Sequence, residues 1–372
     1  MRISLVTNMV PPYRGPLFRA IAALPGVEKL CVLTCATREV NREWEVPRND
    51  GYDQKVLVGM TINLSRETEE LRFLHFRFGI FWELLIKRPD LLVIGDASWT
   101  SYLSVVACKL YRIRYVVWNE ITTTSCISRG FPAMLRRFMY RNAIGFIASC
   151  AMARDYLLAN GVSAAQISIV HNPVDNAFYH SQRARYANKR ERLRQELGIS
   201  EEAFCFIFVG QLISRKRVME TLELVAHAAR LKPMHLLVVG SGPLDTAMRA
   251  RAHELGFDSI SFCGFVNPSR LSQLYVASDA LILLSSDEPW GMVINEALLF
   301  GKGFVATHEV GAAVEMADGE NTLCIPFEGL DDEVLIKYAS TGLNQGGKIR
   351  SQPISPKEAA KEFFEALKKA RG

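Results

Sequence analysis

The feature that most constrains the fold is an alternation of short β-branched segments with longer segments of helical period. In the first half of the chain it predicts strands at 3–7, 29–34, 91–95, 114–118, 144–148 and 167–170. Segments of helical period, such as 100–110 and 151–160, fill most of the gaps. Strands that alternate with helices in this way favour a parallel sheet covered by helices on both faces.

The second half of the chain repeats the alternation. Its expected strands are 204–209, 235–239, 259–263, 280–284, 304–307 and 323–326, and its expected helices are 218–231, 244–255, 269–277 and 292–300. A chain of 372 residues is too long for one ordinary core. We therefore expect an α/β fold of two doubly wound, Rossmann-like domains that face a cleft, since ligands bind beyond the carboxyl ends of such strands.

A turn signal at Asn172-Pro173 marks the boundary between the halves, because the polar, basic stretch at 180–195 that follows it lacks a sheet pattern. We expect an N-terminal domain at 1–173 and a C-terminal domain at 174–352. The amphipathic segment within 353–372 predicts a final helix that packs back toward the N-terminal domain.

The composition argues against several classes of function. A net charge of +5 is low for a nucleic-acid-binding protein, so we expect no such partner. The eight cysteines form no C-x-x-C pair and have no accompanying histidine cluster, so we expect no metal site, no disulfide framework and a reducing compartment. No signal-peptide pattern follows Met1, and no apolar stretch approaches the roughly 20 residues that span a bilayer. A cytoplasmic protein is expected.

The most specific segment is SSDEPWGMVINE, residues 285–296, at a predicted strand-to-helix junction. Gly291 lets the backbone approach a ligand closely, and the first N–H groups of the helix that begins at Met292 can bind an anion. Glu288 lies in the loop, and Glu296, about one turn into the helix, can accept hydrogen bonds from vicinal hydroxyls of a ribose or hexose. The alternative is that both glutamates are ordinary solvated acids.

A basic loop follows the first strand of the C-terminal half. After the turn at Gly210 and Gln211, the run Arg215-Lys216-Arg217 precedes a helix, so its charges can bind a diphosphate and stabilise a departing nucleotide. A solvated basic loop is the alternative. Another turn, Gly240-Ser241-Gly242, follows the next strand, where a plain strand-to-helix turn is the alternative to a nucleotide contact.

With these residues the chain resembles the family 4 retaining glycosyltransferases, which have the two-Rossmann GT-B fold. Their E-x7-E signature is matched by Glu288, Pro289, Trp290, Gly291, Glu296, Ala297 and Gly301, and a later run by Gly311, Glu315, Asp318, Gly319 and Asn321. The resemblance implies a C-terminal domain that binds a nucleotide sugar, with Glu288 on the donor sugar and Glu296 on the ribose. It also implies that the amides of Gly291, Met292 and Val293 hold the sugar and diphosphate.

The resemblance extends to the other loops of the C-terminal domain. Lys216 falls on the family's lysine, whereas Gln211 stands where the family has a phosphate-binding arginine, for which Arg215 or Arg217 would have to compensate. The turn at Gly240 and Gly242 lies near the nucleotide in the family, and the loop around Phe265 and Val266 contacts the base through backbone groups. The base therefore stays open; a UDP- or GDP-sugar is expected as substrate, with no further cofactor and no metal.

The resemblance assigns the acceptor to the N-terminal domain. The segment NMVPPYRGP, residues 8–16, resembles the PPYR opening of bacterial polysaccharide members of the family. Gly15 would let the backbone reach the diphosphate, and Tyr13 and Arg14 would touch the acceptor; a proline-stiffened surface turn is the alternative. Glu120 follows another predicted strand, in a region where many members carry a histidine. It would assist the acceptor hydroxyl or cap the following segment.

Two segments predict contact with a membrane. Residues 71–86 are apolar almost all round, and residues 127–141 combine four arginines with aromatic and aliphatic side chains and contain no acid. Amphipathic helices of this type suit the interface of an anionic bilayer. They predict peripheral association with the inner face of the cell membrane and a glycan or lipid-linked acceptor. The alternative is that the aromatics are core and the arginines line the cleft.

The resemblance implies a retaining, metal-independent hexosyltransferase of cell-surface polysaccharide synthesis. Lys216, Glu288 and Glu120 are the predicted catalytic residues. One alternative is a GT-B sugar-nucleotide epimerase, which would need acids and histidines that converge on the sugar. A second is a non-catalytic protein that binds a sugar nucleotide or a membrane, an interpretation that Gln211 favours.

Overall fold

The protein is represented by a computed structural model, which describes residues 1–37, 51–63, 73–95, 98–125, 131–319, 321–341 and 352–372. The chain divides into two compact units. The first comprises Met1–Val174 together with Ile354–Gly372, and the second comprises Asp175–Pro353. The boundaries expected from the sequence, after residues 173 and 352, each lie one residue from these.

The first unit is built on a parallel sheet of seven strands. Its strands are β1 (Arg2–Thr7), β2 (Lys29–Thr34), β3 (Asp53–Val56), β6 (Leu91–Ile94), β7 (Tyr115–Asn119), β8 (Gly145–Ala148) and β9 (Ile167–Ile169), and a separate antiparallel hairpin consists of β4 (Met60–Asn63) and β5 (Phe73–Phe76). The strand order is β3-β2-β1-β6-β7-β8-β9. The chain adds strands on one side of β1 and then on the other, which is the doubly wound arrangement. Strand β6 is buried at every position, as expected for a central strand covered on both faces.

Among the described residues, five helices of the first unit lie between these strands: α1 (Gly15–Ala22), α2 (Gly79–Lys87), α3 (Trp99–Tyr111), α4 (Phe131–Tyr140) and α5 (Ala151–Ala159). The segment expected to contact a membrane, 71–86, divides between a strand and a helix. Phe73–Phe76 is a strand paired in register with Met60–Asn63, and the helix begins only at Gly79. Apolar runs of this length do not distinguish a strand from a helix, and the pairing partner β4 decides the outcome. Residues 71–72 and 126–130 lie outside the described part of the chain.

The second unit has a parallel sheet of six strands: β10 (Phe204–Val209), β11 (Met234–Val239), β12 (Ile260–Gly264), β13 (Ala280–Leu283), β14 (Gly303–Thr307) and β15 (Thr322–Ile325). Their order is β12-β11-β10-β13-β14-β15, which reverses beside β10. Its helices are α6 (Asn176–Tyr186), α7 (Arg190–Glu196), α8 (Val218–Ala228), α9 (Asp245–Glu254), α10 (Pro268–Ala277), α11 (Met292–Leu299), α12 (Gly311–Met316) and α13 (Asp332–Thr341). The prediction of two Rossmann-like α/β units is confirmed.

The last helix, α14 (Pro356–Arg371), belongs to the first unit. The hydroxyl of Ser355 accepts a hydrogen bond from the amide of Glu358, and the carboxylate of Glu358 accepts one from the amide of Ser355. This capping box satisfies two N–H groups at the start of the helix. Phe363 packs edge-on against Trp118, with ring centroids 5.1 Å apart. The helix thereby closes the apolar core beneath β1 and β7.

No helix in the described ranges is long and apolar enough to cross a membrane.

Candidate functional site

The carboxyl ends of three neighbouring strands in the second unit are joined through glycines. The amide of Gly210, after β10, donates to Val239 O (2.9 Å), and the amide of Gly240, after β11, donates to Gly264 O at the end of β12 (2.8 Å). Gly240 has a φ of +131°, and a Cβ there would lie 1.9 Å from Gly210 O. Similarly, a Cβ on Gly242 would lie 2.4 Å from Leu212 O. These turns therefore require glycine because the loops lie backbone to backbone.

The basic loop after β10 lies against the loop after β13. Arg215 Nη1 donates to Asp287 O (2.9 Å), and the amide of Ser286 donates to Arg215 O (2.8 Å). Lys216 is buried, and its Nζ donates to the carboxylate of Glu288 in an ion pair whose side chains are 11% and 16% exposed. The structure thus brings together the cation and the acid that the sequence predicted, from positions 72 residues apart.

Arg217, which follows Lys216, has a backbone φ of +47°. That value lies in the left-handed region, which glycine adopts readily and other residues rarely do. Its guanidinium lies 4.1 Å from the ring of Phe327 and 4.0 Å from Glu309 Oε1. Gln211, where the family has an arginine, is half-buried in the same loop.

The loop that carries Glu288 is fixed on both sides. The amide of Glu288 donates to Glu309 O (3.2 Å), its carbonyl accepts from the amide of Gly311 (3.1 Å), and the carbonyl of Trp290 accepts from the amide of Ala312 (2.7 Å). These bonds attach the loop to the segment after β14. Trp290 is buried, and its indole N–H donates to Asn295 Oδ1 on α11 (3.1 Å).

Gly291 forms the junction between this loop and α11. Its φ of +92° makes it the N-cap in a left-handed conformation, and a Cβ there would lie 3.0 Å from Val310 Cγ1 and 3.4 Å from Glu288 Cγ. Met292 and Val293 follow as the first helical residues, both half-buried. Their N–H groups belong to the first turn, which has no acceptors within the helix, so they can bind an anion beside the Glu288 loop.

Glu296 lies one turn further along α11, where two tyrosines hold its carboxylate. Tyr179 Oη donates to Oε1 (2.8 Å) and Tyr275 Oη donates to Oε2 (3.0 Å). Burial raises the pKa of Glu296 to about 7, while the two hydroxyls favour the charged form and oppose that rise. Each carboxylate oxygen keeps a further lone pair, so the group can still accept hydrogen bonds from a diol.

The predicted base loop follows β12. Phe265 is exposed and Val266 half-buried, and the next residue, Asn267, accepts a hydrogen bond from the amide of Arg270 to cap α10 (2.9 Å). This cap satisfies an N–H group in the first turn of α10 and thereby fixes the point where the loop joins the helix.

In the first unit, three strand ends converge on Glu120. Arg14, in the turn after β1, pairs through Nη2 with Glu120 Oε2 (2.5 Å), and Asn172, after β9, donates through Nδ2 to Oε1 (2.7 Å). Arg14 is buried, and its guanidinium lies 4.3 Å from the ring of Trp118. Glu120 itself is 34% exposed, so it is the outward member of the pair. Tyr13 is half-buried, and Gly15 begins α1.

Sequence reasoning missed the partners of the two acids. Tyr179 and Tyr275 hold Glu296, and Asn172 and Trp118 hold the Arg14–Glu120 pair. Tyr179 is 117 positions from Glu296, and nothing in its local pattern links the two. Asn172 follows a predicted strand, so its place at the carboxyl end of the first sheet is the signal that could have found it.

Comparison with known proteins connects the second unit with a family. Residues 189–358 match the sequence model described as glycosyl transferases group 1. The match covers less than half of the chain, in a segment termed the group 1 domain. This group 1 domain contains all the donor-binding residues predicted in the second unit, from Gly210 to Glu296, whereas Tyr179 precedes it.

Individual relatives agree with that assignment over part of their length. A D-inositol 3-phosphate glycosyltransferase from Corynebacterium efficiens is 33% identical to this chain over 168 residues, which are 43% of this chain and 39% of the relative. The chain spans less than half of the length of these curated relatives.

Solved structures resemble the whole chain. HepE of Anabaena in complex with UDP and glucose covers 100% of this chain and 97% of its own, with a TM-score of 0.67 and 18% identity. The lipopolysaccharide outer core galactosyltransferase WaaB covers 99% of each chain, with a TM-score of 0.69 and 17% identity. At these identities the likeness concerns the fold, which is the pair of Rossmann-like units of the GT-B glycosyltransferases.

Proposed function

We propose that this protein is a retaining, metal-independent glycosyltransferase that transfers a hexose-type sugar from a UDP- or GDP-sugar to a glycan or lipid-linked acceptor. The observation that carries the proposal is the buried Lys216–Glu288 pair beside the first turn of α11, within a group 1 domain. The site sits at the carboxyl ends of parallel strands, where α/β folds bind nucleotides.

The donor binds in the second unit. Lys216 and the amides of Met292 and Val293 bind the diphosphate, because an ammonium and free helix N–H groups are complementary to an anion. Glu288 accepts hydrogen bonds from the donor sugar, and Glu296 accepts them from the ribose diol. When the bond to the sugar breaks, negative charge accumulates on the leaving diphosphate, and Lys216 stabilises that charge without reorganisation.

The acceptor binds in the first unit, at the strand ends that carry Tyr13, Arg14 and Glu120. The buried guanidinium of Arg14 and the amide of Asn172 fix the carboxylate of Glu120, so a hydroxyl of the acceptor can donate to an oriented oxygen. The likeness to WaaB, a lipopolysaccharide galactosyltransferase, supports a role in cell-surface polysaccharide synthesis.

An exposed apolar stripe on α2 supports contact with a bilayer. Phe78, Trp82 and Ile86 follow one another at four-residue intervals on one face, and Trp82 and Ile86 are 65% and 63% exposed. Exposed aromatic and aliphatic side chains in such a stripe insert at the level of the lipid headgroups. The stripe lies within the segment 71–86 that the sequence analysis expects to contact a membrane.

Positive charge adjoins this stripe. Arg88, which follows α2 as its C-cap, lines a cavity of about 540 Å³ together with Arg112, Arg114 and Arg371. The acid in the same cavity, Asp90, is paired with Arg2. An anionic phospholipid headgroup complements four arginines beside an apolar stripe. In contrast, Phe138 of α4 packs against Tyr102, with ring centroids 5.2 Å apart, so α4 contributes less to this surface.

Turnover of a labelled donor tests the proposed activity. A thermal-shift panel of UDP-, GDP- and ADP-sugars first selects the donor; Glu296→Ala should abolish the shift. The selected donor, labelled in the sugar, is then incubated with a membrane lipid extract in the presence and absence of EDTA. Transfer of label to lipid with release of the nucleoside diphosphate, unaffected by EDTA and with retained anomeric configuration by NMR, is expected.

The same assay separates the rival functions. An epimerase converts the labelled sugar without an acceptor. A binding protein shows a thermal shift but releases no nucleotide from any donor, with or without lipid. Either result contradicts the proposal.

A further inference from the structure

Tyrosine hydroxyls from two different helices hold the carboxylate of Glu296. Each of its oxygens accepts one tyrosine hydroxyl, at 2.8 Å from Tyr179 on α6 and 3.0 Å from Tyr275 on α10. Two hydrogen bonds from different helices fix both the position and the plane of the carboxylate. The two remaining lone-pair directions are thereby fixed as well, and a vicinal diol needs two acceptor directions of fixed geometry.

The tyrosine rings are themselves fixed by packing. Tyr275 is fully buried and stacks on Phe300, with ring centroids 5.3 Å apart and planes 21° apart. Tyr179 is also buried and meets Phe300 edge-on, with centroids 6.0 Å apart. Phe300 directly follows α11, the helix that carries Glu296. One aromatic side chain therefore packs against the rings of both tyrosines.

The tyrosines can act only as donors toward Glu296. Burial and the neighbouring carboxylate raise the pKa of both hydroxyls well above their ordinary value, so they stay protonated. Hydrogen bonds to a carboxylate favour its ionised form, whereas burial favours the protonated form. An ionised carboxylate accepts two hydrogen bonds from a diol, while a protonated one gives up part of that capacity to its own hydrogen.

We propose that Tyr179 and Tyr275 are positioning residues that hold Glu296 ionised and oriented toward the ribose diol of the donor nucleotide. This inference rests on the proposed function, since it takes Glu296 as the ribose-binding acid. It adds to the donor-binding site a residue, Tyr179, that precedes the group 1 domain, so that domain alone carries an incomplete site.

Other titratable and charged groups on the helices packed around α11 could also influence the pKa of Glu296. They are Asp175, which caps α6, His180, Arg183, Arg185 and Tyr186 on α6, Arg270 on α10 and Glu315 on α12. Of these, Arg183 bonds to Leu299 O at the end of α11 (3.0 Å). In the part of the chain that the structure describes, Tyr179 and Tyr275 donate to the carboxylate of Glu296 itself, so removal of their hydroxyls acts on its protonation directly.

The test is the pH dependence of UDP binding, measured by calorimetry on the full chain from pH 5.5 to 8.5. In the wild type, affinity should fall on acidification as Glu296 takes up a proton. Tyr275→Phe and Tyr179→Phe retain the rings and remove only the hydroxyls. Each should weaken UDP binding several-fold at pH 7, move the midpoint of the pH profile upward and restore much of the affinity at pH 8.5.

Two further variants make the result decisive. Tyr338→Phe removes another buried hydroxyl of the same unit, which donates to Asn321 O (2.7 Å), and should leave the midpoint unchanged. Glu296→Gln cannot titrate at this position, so it reports the protonation of the phosphate of UDP itself. If the tyrosine variants bind UDP with the wild-type midpoint, or if Tyr338→Phe moves it equally, the inference is wrong. If Glu296→Gln binds UDP as the wild type does, the proposed role of Glu296 itself fails.

Discussion

Removal of either member of the Lys216–Glu288 pair should have separate effects on stability and on binding. Lys216→Met leaves the carboxylate of Glu288 without its cation, at a side-chain exposure of only 16%. Breaking a fully buried ion pair costs about 3–5 kcal/mol, and the remaining solvent access reduces that cost, so we expect about 2–3 kcal/mol. Glu288→Gln leaves an equally buried ammonium and should cost a similar amount.

The double variant tests whether the two side chains act as a pair. Because it leaves no unpaired charge, it should lose about 1–3 kcal/mol less than the sum of the single losses. Urea unfolding followed by circular dichroism measures the three differences. Losses that add within about 0.5 kcal/mol would show that Lys216 and Glu288 do not stabilise each other.

Ligand binding by the same variants separates the proposed roles. Lys216→Met should lose about 10- to 100-fold in affinity for UDP, the equivalent of a charge-assisted hydrogen bond of about 1.5–3 kcal/mol. Glu288→Gln should bind UDP at least as well as the wild type, since it releases Lys216, but should bind the UDP-sugar less tightly. Equal loss of UDP affinity in both single variants would refute this division of roles.

Three further predictions follow from other parts of the structure. Gly291 has a φ of +92°, and a Cβ added there would lie 3.0 Å from Val310, whereas a Cβ added at Gly256 meets nothing within 4 Å. Gly291→Ala should therefore lose about 1 kcal/mol more stability than Gly256→Ala. Only Gly291→Ala should weaken UDP binding in calorimetry. Burial lowers the pKa of His235 to about 4, below the value of about 6.5 in the unfolded chain. Because the unfolded chain then binds the extra proton, the free energy of unfolding should fall by up to about 3 kcal/mol as the pH drops from 6.5 to 4. Urea titrations of His235→Gln should lack this loss. Replacement of Trp82 and Ile86 by Ser should reduce co-sedimentation with anionic liposomes. The control Leu231→Ser, which alters a side chain 75% exposed in the second unit, should not reduce it. Equal co-sedimentation of all variants would contradict the proposed contact of α2 with the membrane.

The strands of both sheets that lie in the core could be predicted because their residues are apolar on both faces. All six strands expected in each half are present, and most ends differ by one residue. Strand β3 and the hairpin β4–β5 could not be predicted in this way. Strand β3 carries Asp53, Gln54 and Lys55 at the edge of its sheet, where it need not be apolar, and Phe73–Phe76 is a strand only because Met60–Asn63 pairs with it.

The candidate site shows the same limit. Lys216 and Glu288 could be predicted together because each follows a strand, and the carboxyl ends of parallel strands lie at one edge of the sheet. The tyrosines that hold Glu296 lie on helices α6 and α10, and only tertiary packing brings these helices against α11. Tyr179 is more than one hundred residues from Glu296 in the sequence. The sequence analysis expects Arg14 to touch an acceptor. Its burial against Trp118 and its ion pair with Glu120 depend on tertiary contacts between distant residues, which no local sequence pattern predicts.

A crystal structure of the chain with its nucleotide-sugar donor tests the central claim most directly. We predict that the diphosphate lies on Lys216 and the amides of Met292 and Val293, with the ribose diol on Glu296 and the sugar on Glu288. A nucleotide bound away from Lys216 and Glu296 would contradict this account.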